Sequence, residues 1–283
     1  VSDTTGRPEP RYFALWRHIT ENLKPGQKLS RGKPHPDVVW REAQDALITL
    51  ATQWRERFQY VQDGQPGKEH TPPVMIIVCD NTDIAELFFQ NISGERMQDV
   101  VDENGKGKHG KPKQRRVFGA TELPGFAEFQ NTEDHRPTLR IDSKLLAEAE
   151  SEDPNKSRSD VAEELRAKVA TVGKRGEAGE QVRCVVSVQM LSEGWDANNV
   201  THILGLRAFG SQLLCEQVVG RGLRRMDYTV DPDTGLLTEE YVDVYGVPFS
   251  VIPFRGRAPN KPEPVDRPKN HVRALDERAL YGI

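Results

Sequence analysis

The stretch Val74-Met75-Ile76-Ile77-Val78-Cys79-Asp80-Asn81-Thr82-Asp83-Ile84-Ala85-Glu86-Leu87-Phe88-Phe89 decides the fold. Its first six residues are continuously apolar and largely β-branched, the pattern of a strand buried on both faces of a parallel sheet. Asp80-Asn81-Thr82 then supplies a capping signal, and the spacing predicts a helix through about Asn91. The same order of strand, turn and helix recurs downstream. Leu139 to Ile141 reads as a weaker strand, and Asp160 with Glu163 as a capping-box-like start of a helix that reaches Val172 and stops at Gly173. Val182 to Val188 and Val200 to Leu206 are further buried strands, and Ser211 opens a helix through about Val219. This alternation predicts an α/β layer fold with a mostly parallel sheet flanked by helices.

Upstream, Val39, Ala43, Leu47, Leu50, Trp54, Phe58 and Val61 recur at three- and four-residue steps, so a long amphipathic helix precedes the sheet. The expected organisation is an arm at 1–35 that docks through Tyr12, Phe13 and Trp16, a helix at 36–64, a main domain at 65–257 and a Pro- and charge-rich tail at 258–283. An insertion or long loop is expected at 94–137, where aliphatic residues are sparse. Within it Lys106, Lys108, Lys111, Lys113, Arg115 and Arg116 crowd among glycines. Such a run is either a solvated loop or an arm that tracks phosphates by displacing counterions.

The 283 residues suffice for one large or two small domains, and 36% hydrophobic with 29% charged residues gives a folded body with solvated insertions. No apolar run approaches the roughly 18 residues that cross a bilayer, and no signal peptide is evident. The three cysteines, Cys79, Cys184 and Cys215, lie far apart, which suggests neither disulfides nor zinc and favours a reducing, cytoplasmic setting. A net charge of −4 excludes bulk binding of polyanions, so any nucleic-acid contact must be a local patch. The start at Val1 rather than Met suggests a processed product or an excised fragment.

Chemistry concentrates in two blocks. Met190-Leu191-Ser192-Glu193-Gly194-Trp195-Asp196-Ala197-Asn198-Asn199-Val200 follows one strand and opens the next; Gln217-Val218-Val219-Gly220-Arg221-Gly222-Leu223-Arg224-Arg225 ends the following helix. Two arginines three residues apart on a helix share a face, where their planar forks suit the oxygens of a phosphoryl group. Gly194 permits close backbone approach, and Asp196 can accept hydrogen bonds from a ribose hydroxyl. Each feature alone has a plainer reading, as a solvated cation at a helix C-terminus or an ordinary turn.

Together the blocks resemble motifs V and VI of the second RecA-like domain of superfamily-two helicases, and their wording is most similar to the Res subunit of type III restriction enzymes. The resemblance is specific over about 182–226 and looser at 74–91 and 141–143. It implies a RecA-like domain that forms the second half of an ATP-dependent DNA helicase or translocase. In that reading Arg224 is an arginine finger, Arg221 a γ-phosphate contact, and Gln217 positions the helix or a phosphate-bound water. Gly194, Asp196 and Gly220 would line the nucleotide. Asn81, Thr82, Ser143, Lys144, Ser187 and Ser192 would grip the DNA backbone, with Val188 standing where many relatives carry threonine. Ser143 and Lys144 equally suit the first turn of a solvated helix.

No phosphate cradle G-x-x-x-x-G-K-[ST] and no Mg²⁺-binding acidic partner on an adjacent strand occur in this sequence. The resemblance therefore implies ATP with Mg²⁺ held by an N-terminal RecA-like domain of the same protein, a methyltransferase or specificity subunit as a further partner, and no hydrolysis by this chain alone. Asp231-Pro232-Asp233-Thr234-Gly235 reads as a hairpin turn rather than a nuclease site, and Tyr241 to Tyr245 and Phe249 to Phe254 as closing strands. The alternative function is a non-catalytic helicase-like module that binds nucleic acid or protein through the basic loop.

Overall fold

A computed structural model describes residues 11–63, 71–99, 114–142, 158–188 and 197–248, except 231, 233, 238 and 239. The elements are α1 (Leu15–Glu21), α2 (Pro36–Gln62), β1 (Val74–Cys79), α3 (Thr82–Ser93), β2 (Glu95–Asp99), β3 (Gln114–Phe118) and β4 (Thr138–Ile141). They continue with α4 (Arg158–Ala170), β5 (Cys184–Ser187), β6 (Val200–Leu206), α5 (Gln212–Gly222) and β7 (Asp243–Tyr245). Five strands form one parallel sheet in the order β4-β5-β1-β6-β7. This is the α/β layer architecture the sequence predicts, with the long helix in front of it.

The sheet divides its side chains between two cores because successive residues of a strand face opposite ways. Met75, Ile77 and Cys79 of β1 join Cys184 and Val186 of β5 and the apolar sides of α1, α2 and α3. Val74, Ile76 and Val78 face the other layer with Val185 and Ile203, against Val169 of α4 and Cys215, Val218 and Val219 of α5. Val39, Ala43, Leu47, Leu50 and Trp54 on α2 are all fully buried. Burial of each larger member contributes about 1.5–3 kcal/mol. Trp54 also stacks on Phe58 with ring centroids 4.9 Å apart and donates Nε1–H to the Pro73 carbonyl at 2.9 Å. Pro36 starts α2 with its φ already helical, and the Asp37 carboxylate lies in the first turn, where the helix dipole favours it.

The expected loop at 94–137 has more structure than its composition suggests. β2 and β3 pair as an antiparallel hairpin, Glu95 opposite Phe118 and Asp99 opposite Gln114. Gly94, at φ 72, turns the chain out of α3 while its N–H donates to Gln90 O at 2.9 Å. Leu123, Phe126 and Phe129 then return to the main core. Arg55 of α2 clamps this segment: Nε and Nη2 donate to Glu128 at 2.7 and 2.8 Å, and the guanidinium lies 4.0 Å from the Phe126 ring. Buried Asn131 acts as a splint, donating to Glu95 and to Thr138 O at 2.8 and 2.9 Å and accepting from Thr138 N at 3.0 Å. Three apolar residues dispersed among polar ones leave no periodic trace, so the sequence pattern misses this part of the core. Lys106, Lys108, Lys111 and Lys113 lie outside the described residues; Arg116 pairs with Glu95 at 3.2 Å.

The arm is no loose connector within its described part. The Tyr12 ring meets that of Tyr245 at 4.9 Å, Gly246 N–H donates to Tyr12 O at 2.8 Å, and Leu15 and Ile19 enter the core. The predicted turn around Gly235 is present: Val230 and Leu237 bridge antiparallel, with Gly235 at φ 67. The closing strand is shorter than expected, only Asp243–Tyr245. Residues 249–254 lie outside the described residues.

Candidate functional site

The described members of the two predicted sets of site residues separate to opposite ends of the sheet. Because β6 and β7 run parallel, α5 between them must return antiparallel to both. It starts at the carboxyl pole, where Cys215 Sγ lies 3.6 Å from Pro248 O, beyond the end of β7. It finishes at the amino pole, where Gly222 packs on Val242, just before β7. Arg221 and Arg224 therefore sit at the amino pole, where the chain enters β6. Ala197 and Asn199, the described end of the first motif block, lie at that same entry.

α5 is built to hold this end in place. Ser211 caps it, its Oγ accepting from Leu214 N at 3.2 Å. Cys215, Val218 and Val219 bury one side, while Gln217 and Gly220 face solvent. Gln217 and Arg221 are one turn apart and share a face. The helix runs three residues beyond its predicted end at Val219, which keeps Arg221 in its last turn; Arg224 lies past the end at Gly222, so the two arginines do not share a helix face as their spacing predicts.

The two glycines of this turn have different surroundings. A methyl group at Gly222 would press into the Val242 side chain and stand 3.3 Å from Ile203 Cδ1. One at Gly220 would meet nothing within 4 Å. No contact inside the chain calls for the missing side chain at Gly220, which leaves open backbone beside the arginines.

Arg221 is half-buried, and desolvation, with the neighbouring Arg224 charge, lowers its guanidinium pKa. The chain leaving Arg224 is pinned by Glu240, whose carboxylate accepts from Met226 N at 3.1 Å and from Asp227 N at 3.0 Å. Arg57 of α2 donates to Tyr241 O at 2.6 Å and draws the next residue to the same pole. Sequence reading misses Glu240 and Arg57, because nothing in their spacing connects residues so far apart along the chain. Asn199, read within the motif, has a structural role: its Nδ2 donates to Pro72 O and Val172 O at 2.9 and 3.0 Å.

Beneath this rim His202 is buried, and burial together with the Arg57 charge pushes its pKa down to about 3. The imidazole is therefore neutral near pH 7, and its 3.5 Å approach to Asp243 is not an ion pair. Thr201 Oγ1 shares a 2.7 Å hydrogen bond with its Nδ1.

The described members of the other set, Asn81, Thr82 and Ser187, lie at the carboxyl pole. Asn81 caps α3, its Oδ1 accepting from Asp83 N at 3.1 Å and Ile84 N at 3.0 Å, while half-buried Thr82 begins the helix. Ser187 ends β5 at 2% exposure, paired between Val78 of β1 and Ile141 of β4, and the next carbonyl, Val188 O, accepts from Arg207 at 3.2 Å. Ser143, Lys144, Ser192, Gly194 and Asp196 lie outside the described residues. Among the described residues no group of three or more His, Cys, Asp or Glu is placed to hold a metal ion, and no helix is long and apolar enough to cross a membrane. Neither a scan against protein-family models nor a search of curated proteins finds a match for this chain.

Proposed function

We propose that this chain is the second RecA-like half of an ATP-dependent DNA helicase or translocase of restriction-enzyme type, with Arg224 and Arg221 as arginine fingers. The observation that carries this reading is the placement of both guanidiniums, with open backbone at Gly220, on the amino-pole rim where the first motif block enters β6. A triphosphate suits this rim, since planar guanidinium forks match phosphoryl oxygens and the open Gly220 admits close approach.

Bound between this rim and an N-terminal RecA-like lobe, ATP with Mg²⁺ supplies phosphoryl transfer to water as the energy source. Arg224 presents positive charge to the transferring group and Arg221 holds its oxygens. Gln217, on the same helix face, orients a water or steadies the pair. Such a finger is worth on the order of 1000-fold in rate. Glu240 fixes the turn from which Arg224 projects. At the opposite pole the strand end at Ser187 and the residues around Asn81 and Thr82 are the side turned to the DNA backbone, so closure at one pole shifts the grip at the other. A methyltransferase or specificity subunit would supply target choice.

The test is Arg224→Ala in the protein joined to its N-terminal lobe, assayed for DNA-stimulated ATP turnover and for DNA binding. Turnover should fall at least 100-fold with binding nearly intact. Unchanged turnover would remove Arg224 from the mechanism and this function with it.

A further inference from the structure

The carboxyl pole carries a feature that lies outside both motif blocks. Between residues 11 and 35 the sequence has six Lys or Arg residues against the single acid Glu21, in a chain whose net charge is −4. The fold lays this segment across the strand ends. Tyr12 contacts Tyr245 and Gly246 at the end of β7, and Lys33 Nζ reaches Asp80 at the end of β1, at 3.2 Å. Hydrogen bonds hold its backbone: Leu29 N to Lys33 O at 2.7 Å, His35 N to Gln27 O at 2.9 Å and Gln27 N to Lys24 O at 3.0 Å. Exposed Lys24 and Lys28 are thus displayed from a hydrogen-bonded loop that Lys33 ties to Asp80, just before the α3 cap.

Next to them a cleft of about 590 Å³ opens between α1 and the first turns of α2. That size lies within the ~300–1,000 Å³ of small-ligand clefts. Leu15, Ile19, Leu23 and Val38 give it apolar walls, Lys24 brings a cation to it, and His18 and the paired Arg41 and Glu42 add polar groups. Two amides complete the lining. Asn22 donates Nδ2 to His18 O at 2.8 Å, which leaves Oδ1 as an acceptor; Gln27 Oε1 accepts from Lys24 N at 2.8 Å, which leaves Nε2 as a donor. The one acid of the lining, Glu42, is paired with Arg41 at 3.0 Å, and Asp37 close by is paired with His35 at 2.8 Å.

We propose that this cleft and the lysine loop form a contact for single-stranded nucleic acid, one base seated in the cleft and the neighbouring phosphates on Lys24 and Lys28. Apolar walls take the faces of a base, an acceptor and a donor suit its hydrogen-bonding edge, and ordered lysines suit phosphates. An acidic peptide has the charge but no flat group for the slot. The proposal deepens the strand-tracking role given to this pole and rests on that reading for its placement.

The experiment is fluorescence anisotropy of labelled oligothymidylate with the full-length protein across a salt series, comparing wild type with Lys24→Glu/Lys28→Glu and with Asn22→Asp/Gln27→Glu. Losing two phosphate contacts should weaken binding at least tenfold and reduce the log–log salt slope by about 1.4, at roughly 0.7 per phosphate for single strands. A 4-thiothymidine probe should crosslink to the peptide spanning residues 18–27. Melting curves matching the wild type establish that both variants are folded. Unchanged affinity and slope in the lysine variant overturn the proposal, as does crosslinking confined to other segments or equal competition by polyglutamate. Failure here with Arg224→Ala still abolishing turnover leaves the motor reading standing. Loss of binding here with turnover untouched by Arg224→Ala leaves the contact standing without the motor.

Discussion

Gly220 and Gly222 stand two residues apart in the same helical turn, and the structure assigns them opposite responses to one added methyl group. At Gly220 alanine enters open space, so only backbone entropy and helix propensity change, a gain of about 0.5–1 kcal/mol. At Gly222 the new Cβ presses on Val242, stands 3.1 Å from Val242 Cβ and 3.3 Å from Ile203 Cδ1. Val242 is β-branched and wedged beside β7, so it cannot swing aside; overpacking of this kind costs about 1–3 kcal/mol, only partly offset by propensity. The propensity gain is common to both variants, so the expected difference between Gly220→Ala and Gly222→Ala is about 1–3 kcal/mol. Urea unfolding followed by circular dichroism measures it, with the Gly220→Ala midpoint above wild type and the Gly222→Ala midpoint below. Equal shifts, or a stabilised Gly222→Ala protein, would refute the packing assigned to the end of α5. In the complete motor, Gly220→Ala should combine this higher stability with slower ATP turnover, since the methyl group occupies the space left for a phosphate. A stabilised and fully active variant would show that the open backbone at Gly220 serves no ligand.

Other expectations follow from the cores. Neutral, buried His202 has a folded pKa of about 3, so the unfolded chain binds the extra proton first. Its contribution to stability is complete above about pH 6.5 and is lost as pH falls toward 3, at up to roughly 1.4 kcal/mol per unit. His202→Gln should flatten that part of the stability-against-pH curve; an unchanged slope would contradict the burial assigned to this ring. Phe129→Ala should cost about 3–5 kcal/mol in a denaturation experiment, because a fully buried ring 4.4 Å from Trp54 is removed. A loss below about 1 kcal/mol would return the 119–131 segment to the solvated loop its composition suggests.

What the sequence determined by itself was the local and periodic part. β1 and α2 are legible from residues 74–79 and 37–61 because one covers both faces of a strand and the other one face of a helix, and each pattern repeats within the element. Of the arginine pair only Arg221 was legible in this way, since the helix ends at Gly222 and Arg224 lies beyond it, where the turn held by Glu240 and not a helical spacing sets its place. The tertiary structure alone decided what depends on distant residues meeting. Glu240 holds the backbone after Arg224, Arg55 clamps Glu128, and the arm brings Lys33 to Asp80, each contact spanning a separation along the chain that no local spacing encodes. Strand order, too, came only with the fold: β5 lies between β4 and β1 because right-handed crossovers place α3 and α4 on opposite faces. That topology sends α5 back across the sheet, which is why the arginines and the lysine loop emerge at opposite poles.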